Sequence, residues 1–169
     1  MGCTWRSNQD GSWRGLENQW YLNGMGIDIS LLRNKGLIMN AWESKYKSHQ
    51  GNLGLGAAIA YYTSKCMPIS IPLNDTQGYD LIIDDGNSLK RVQIKTTKFK
   101  SPIGDYKVQL RNTGGSSGKS TIRLFDKSKS DILFVLTYSG VRYEIPTSVL
   151  NVKNSLTLNK EYDIFKIGE

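Results

Sequence analysis

The stretch GYDLIIDDGNSLKRVQIKTTK, Gly78 to Lys98, puts one carboxylate on a first alternating segment and a Gln-x-Lys triplet on a second. Asp80 lies on the first, Gln93 and Lys95 on the second. Metal-assisted hydrolysis of a phosphodiester calls for these side-chain types. A divalent cation polarises the phosphoryl oxygen and activates water, and a side-chain cation stands beside the nucleophile or the developing charge. Asp80 is the candidate carboxylate ligand, the Gln93 side-chain oxygen a neutral one, and the Ile94 carbonyl a third. Lys95 would orient the attacking water or help to deprotonate it. An Asp and a Lys on adjacent strands also occur on ordinary solvated sheets, so the triplet alone does not identify a nuclease.

Strand periodicity decides what Asp80 reaches. DDGN is a hairpin turn signal between two alternating runs. A two-residue turn at Gly86 and Asn87 sets Asp80 opposite Gln93, and a turn at Asp85 and Gly86 sets it opposite Arg91. Both place Asp80, Gln93 and Lys95 on one face, whereas a three-residue loop would put Asp80 on the other. Opposed Cβ atoms lie about 5 Å apart, a span that one hard cation bridges.

The surrounding elements follow from pattern and punctuation. Residues from about 41 to 65 read as helix, with a polar beginning that breaks near QGN and a broadly apolar part, NLGLGAAIAYYTSKC. Gly54 and Gly56 lower its propensity and favour close backbone approach. Pro68 ends it, and PISIPL is a short strand near a sheet edge. DYKVQLRN is a strand after the hairpin, and DILFVLTY is a strand buried on both faces. VRYEIP, a short helix at TSVLNV, SLTLN and YDIFKI complete the chain. The order predicts a mixed α/β (α+β) fold with a long helix packed on one face of the sheet. TGGSSGKS is not a phosphate-binding Walker loop: Thr113 stands where that motif needs glycine, and the loop lies between strands.

Charge points to nucleic acid. The chain of 169 residues carries a formal net charge of +7, yet residues 88–129 hold eleven Lys or Arg against two Asp, a local balance of +9. A basic block inside a folded domain is the footprint of a phosphate-backbone binder. Lys98, Lys100, Lys107, Arg111, Lys119 and Arg123 are its candidate contacts. Arg111 is suited to a guanine edge, and the lysines to phosphates. A solvated face that aids solubility is the plain alternative. The two cysteines, Cys3 and Cys66, form no ligand cluster, and His49 is the only histidine, so structural zinc and serine- or cysteine-histidine catalysis are not expected. No apolar run approaches the ~20 residues of a membrane span, and the N-terminus has no secretory apolar region. An intracellular setting, cytoplasmic or organellar, is the expectation. Residues 1–38 read as a Trp- and Gly-rich extension that mixes Trp5, Arg6, Trp13, Arg14, Trp20 and Tyr21, and residues 39–169 as the nucleic-acid-binding domain.

GNLGLGAAIAYYTSK, ISIPLNDTQGYDLIID and RVQIKTTK together resemble the PD-(D/E)XK nuclease superfamily, and within it the homing endonucleases of group I introns in cyanobacterial transfer-RNA genes. DILFVLTYSGVRYEIPTSVLNVKNSLTL is similar to the end of that intron-associated group. The resemblance covers about 120 residues, from roughly Met39 onward, and implies a restriction-endonuclease-like αβββαβ core. It also implies Mg²⁺-dependent, site-specific cleavage of double-stranded DNA, with Asp80, Gln93 and Lys95 catalytic and a dimer or tetramer as the working unit. Gln in place of the usual acid is a known variant in this group. Leu55 departs further: the family commonly has Gly-Glu there, and Leu55 leaves Asp80 as the only carboxylate of the usual set. Glu43 and Asp75 are the nearest replacements in sequence. A derivative that binds structured RNA, such as an intron or ribosomal RNA, without cutting is the alternative that Leu55 favours.

Overall fold

The computed structural model describes residues 41–74, 77–114 and 121–168. The extension read at 1–38 lies outside them. Helix α1 spans Lys47–Ser64. It runs straight through Gln50–Asn52, where a break was expected, because burial of its inner face outweighs the weak propensity of Gly51. That face is Gly54, Ala58 and Tyr62, a stripe of small residues closed by one ring, rather than the Leu and Ile positions that hydropathy favours. The helix ends in a Schellman arrangement. Cys66 takes the left-handed conformation (φ 56°), its N–H donates to the Thr63 carbonyl at 2.9 Å, and the Met67 N–H donates to the Tyr62 carbonyl at 3.1 Å.

Among the described residues ten short strands follow in chain order: β1 Ile69–Ser70, β2 Leu81–Asp84, β3 Leu89–Thr97, β4 Tyr106–Gln109, β5 Asn112–Gly114, β6 Thr121–Arg123, β7 Ile132–Thr137, β8 Arg142–Pro146, β9 Ser155–Leu158 and β10 Lys166–Ile167. Six form the central sheet in the order β1-β2-β3-β7-β8-β10. Its one parallel pair is β3 with β7, in which Gln93 lies beside Leu133 and Lys95 beside Val135. The segment read as a short helix at TSVLNV is a 3-10 turn at Thr147–Val149, and the final segment adds a 3-10 turn at Lys160–Phe165 before β10.

The two faces of this sheet are covered differently. Leu133, Val135, Tyr143 and Ile145 face a second layer, the β4–β9 pair, and share a core with Val108, Leu110, Leu156 and Leu158. The other face carries Phe134, whose ring centroid lies 6.1 Å from Tyr61 and 6.0 Å from Tyr62 of α1. The αβββαβ order would place a helix between β3 and its parallel partner. Among the described residues that connection holds β4, β5 and β6 instead, and its basic residues lie on them and on their loops.

Candidate active site

The hairpin takes the first of the two expected turns. Asp85 N–H donates to the Ser88 carbonyl at 3.2 Å, and Gly86 alone of the central pair needs a positive φ, 85°. The two acidic residues before the turn shape it. Asp84 Oδ1 accepts from the Gly86 N–H at 2.9 Å, and Asp85 Oδ1 accepts from Asn87 and Ser88 at 2.9 and 2.8 Å. The ladder then pairs Leu81 with Val92 and Ile83 with Lys90, a register that extended by one step sets Asp80 opposite Gln93.

At that step the ladder gives way to a side chain. Asp80 N–H donates to the Val92 carbonyl at 2.8 Å, one residue out of register. Asp80 Oδ2 accepts the Ile94 N–H at 2.6 Å, so the carboxylate stands in for the next main-chain acceptor where β2 begins. This fixes one carboxylate oxygen against β3 while the residue as a whole stays exposed. Gln93 is buried, at 8% exposure, beside Leu133. Lys95 is two residues further along the same face. Burial pushes the pKa of its ammonium below the ordinary value, and the negative charge of Asp80 opposes part of that fall. Asp80 and Lys95 are therefore within electrostatic reach of each other, with Gln93 opposite Asp80 and two residues before Lys95 on β3.

Gly54, the residue before Leu55, shows which face of β3 the helix covers. A Cβ built on Gly54 would lie 2.6 Å from Thr96 Cγ2 and 3.0 Å from Ile94 Cγ2, so α1 lies against the face of β3 that carries residues 94 and 96. Gln93 and Lys95 project from the opposite face by strand alternation. Leu55 itself is half-buried. Of the two acids considered as its replacement, Glu43 is exposed, and Asp75 lies outside the described residues.

The oxygen donors at the site are one carboxylate, Asp80, with the Gln93 amide and the Ile94 carbonyl on the neighbouring strand. Among the described residues no group of three or more His, Cys, Asp or Glu could hold a metal ion. All-oxygen donors with a single charge fit a hard divalent cation that keeps much of its water, and they fit it weakly.

Lys98, Lys100, Lys107, Arg111 and Arg123 are all exposed, and Lys119 lies outside the described residues. One charged pair was not foreseen. Arg91 donates through Nε and Nη2 to the two carboxylate oxygens of Asp131 at 3.0 and 2.9 Å, and its backbone N–H reaches Asp131 Oδ2 at 2.8 Å. The pair ties β3 to the head of β7 two residues before Gln93. Those hydrogen bonds from Arg91 hold the Asp131 carboxyl below its ordinary pKa. Asp131→Asn should lower stability at neutral pH by about 1 kcal/mol, a small figure because both partners are partly exposed. A carboxyl with a depressed folded pKa contributes stability above its unfolded value, near 3.9, and loses it as pH falls through the folded value. Urea melts of both proteins should differ at pH 7 and converge at the acid end of the titration.

The helix and the mixed sheet with its β2–β3 hairpin make a restriction-endonuclease-like fold. The sequence profile of the PD-(D/E)XK endonuclease family matches residues 45–162, and the chain belongs to that family. Among solved structures it is similar to the bacterial homing endonuclease I-Ssp6803I, with a TM-score of 0.59, 22% identity and coverage of 69% of this chain and 80% of that one. At that identity the likeness establishes the fold. No curated protein matches this chain. No helix among the described residues is long and apolar enough to cross a membrane.

Proposed function

We propose that this protein binds double-stranded DNA through the surface around β4–β6 and cuts it at the Asp80–Gln93–Lys95 site, as an endonuclease of the homing type. The observation that carries the reading is an anchored, exposed carboxylate at the start of β2, Asp80, within electrostatic reach of a half-buried ammonium on β3, Lys95. Perturbed lysines of this kind gather at functional sites. Asp80, Gln93 and the Ile94 carbonyl would hold Mg²⁺, which when bound supplies Lewis-acid polarisation of the phosphate and a more acidic water. The chain's own contribution is to fix the carboxylate through the Ile94 N–H, to keep Gln93 out of bulk water, and to present the Lys95 amine to an attacking water. One such site attacks one strand, so two copies are needed for a double-strand break.

The test is a nicking assay on supercoiled plasmid that carries the gene for this protein with its flanking DNA, with Mg²⁺ and with chelator. Asp80→Asn should reduce nicking at least 100-fold. Nicking by Asp80→Asn at the parent rate would remove this site from the reaction. In binding experiments with chelator, the logarithm of affinity should fall steeply and linearly with the logarithm of salt concentration. Each lysine lost from Lys98, Lys100 or Lys107 should lower the slope by about 1. A flat salt profile would sink the phosphate-contact assignment.

Leu55 favours a second reading, a protein of the same fold that binds nucleic acid and cuts poorly. Leu55→Glu separates the two. A restored metal ligand should give a melting temperature that rises with Mg²⁺, because a ligand bound only to the folded state stabilises it. If Leu55→Glu brings neither that rise nor faster nicking, the helix supplies nothing to the site.

A further inference from the structure

Where β3 and β7 end, the surface is at once apolar and basic. Thr97 and Thr137 are the last partners of the parallel ladder, and the Tyr138 N–H donates to the Thr97 carbonyl at 2.9 Å. The chain leaving β3 runs out to a tip and returns as β4. Backbone hydrogen bonds fix the tip: Ser101 N–H to the Asp105 carbonyl at 2.7 Å, Gly104 N–H to the Ser101 carbonyl at 3.0 Å, and Lys107 N–H to the Phe99 carbonyl at 2.8 Å. Lys100 Nζ lies 5.0 Å from the centroid of the Tyr106 ring. On this fixed frame Phe99 is 70% exposed and Ile103 83% exposed.

Single exposed apolar residues need no explanation. Here two large ones stand on a hydrogen-bonded tip among Lys98, Lys100 and Lys107, all exposed. Lysine is depleted from protein–protein interfaces, so this rim is a poor match for a second protein. Stacked bases bordered by phosphates are its complement: apolar wedges such as Phe and Ile enter base steps, and lysines meet the backbone on either side.

We infer that Phe99 is a wedge that enters the base stack of bound duplex DNA and kinks it, with Ile103 further out on the same tip. The inference rests on the DNA-binding reading above. Phe99 follows Lys95 by four residues, so its Cα is within about 14 Å of that of Lys95. With the reach of both side chains added, the distortion falls within about one turn of the duplex from the attacked phosphate. Unstacking there loosens the duplex beside the bond to be cut.

The experiment uses the full chain, chelator and a relaxed closed-circular plasmid. Bound protein is present while topoisomerase acts, and the topoisomers are resolved after the protein is removed. A wedge unwinds the duplex, so the parent protein should lower the linking number in proportion to the amount bound. Phe99→Ser with Ile103→Ser should leave the distribution as in the protein-free control and weaken binding roughly tenfold, the loss of one stacked contact. The salt slope should not change, since no phosphate contact is lost. Parent protein that binds without moving the topoisomers overturns the wedge alone, as does a double variant that moves them as the parent does. If the variant instead sediments as a smaller species and the topoisomers never move, the tip joins copies of the chain and the wedge is overturned. Failure of the parent to bind plasmid even at low salt overturns the DNA-binding reading, and the wedge with it.

Discussion

Lys95→Met should melt at a higher temperature than the parent and cut no DNA. In the unfolded chain Lys95 holds its proton to about pH 10.4, and burial in the folded protein lowers that pKa. Between the two values the unfolded chain binds more protons, so stability rises with pH in that window. At neutral pH the protein carries the cost of a partly desolvated amine. Methionine fills a similar volume with no charge. Asp80 is exposed and keeps its bond from the Ile94 N–H, so removing Lys95 strands no buried carboxylate. A gain of about 1 kcal/mol is expected, typical of relieving a strained functional position, or about 3 °C in melting temperature. The gap between variant and parent should narrow as pH is raised towards that of a free lysine. Cleavage should fall by about 100- to 1,000-fold or more, the usual effect of removing a preorganised charge at a reacting phosphate. A Lys95→Met protein that melts lower than the parent and still nicks would show that this lysine is a structural group.

Gly54→Ala should destabilise the protein although Ala is the better helix former. Propensity alone predicts a gain of about 1 kcal/mol in a helix interior. The new methyl would lie 2.6 Å from Thr96 Cγ2, closer than real methyl contacts allow. Either α1 lifts from β3 or Thr96 turns, and overpacking of this kind costs about 1–3 kcal/mol. Thr96→Ser removes the obstructing methyl. The double variant Gly54→Ala/Thr96→Ser should therefore be more stable than the sum of the single changes, with a coupling of about 1–2 kcal/mol. Gly51 and Gly56 are the controls. A Cβ at either meets nothing within 4 Å, so alanine there should stabilise. Additive behaviour in the Gly54–Thr96 cycle would mean that the helix moves freely over the strand. The outcome bears on function too, because α1 bears directly on the strand that carries Gln93 and Lys95.

What could be read in the sequence was mostly local. The DDGN turn and its glycine left two registers, both with Asp80 on the Gln93 and Lys95 face, because turn chemistry and strand alternation act over a few residues. DILFVLTY was legible as a strand covered on both faces, since every residue of β7 after Ile132 is buried. The parallel pairing of β3 with β7 was not legible. No turn links them, and their register is set by packing across the sheet. The Arg91–Asp131 pair is a product of that register and was missed for the same reason, although an acid at the head of an apolar strand was a faint sign. The glycines of α1 were legible as sites of close approach, which holds at Gly54 and not at Gly56; hydropathy missed the rest of that face because close approach to the sheet selects small residues. Leu55 could be aligned with an acid position by resemblance, yet the layer on which α1 sits needed three dimensions.

The connection between the two parallel core strands carries Lys98, Lys100, Lys107, Arg111, Lys119 and Arg123, whereas Asp80, Gln93 and Lys95 belong to strands made before it. On the proposed reading, chemistry and grip are thus divided along the chain. Closing a longer connection costs little entropy: doubling its length costs about 0.6 kcal/mol. Residues can be gained, lost or recharged between Thr97 and Ile132 without redrawing the ladder that joins those two strands. If the proposed function holds, a lineage of such proteins can follow a drifting DNA target by editing one insert, while the Asp80–Gln93–Lys95 site stays as it was.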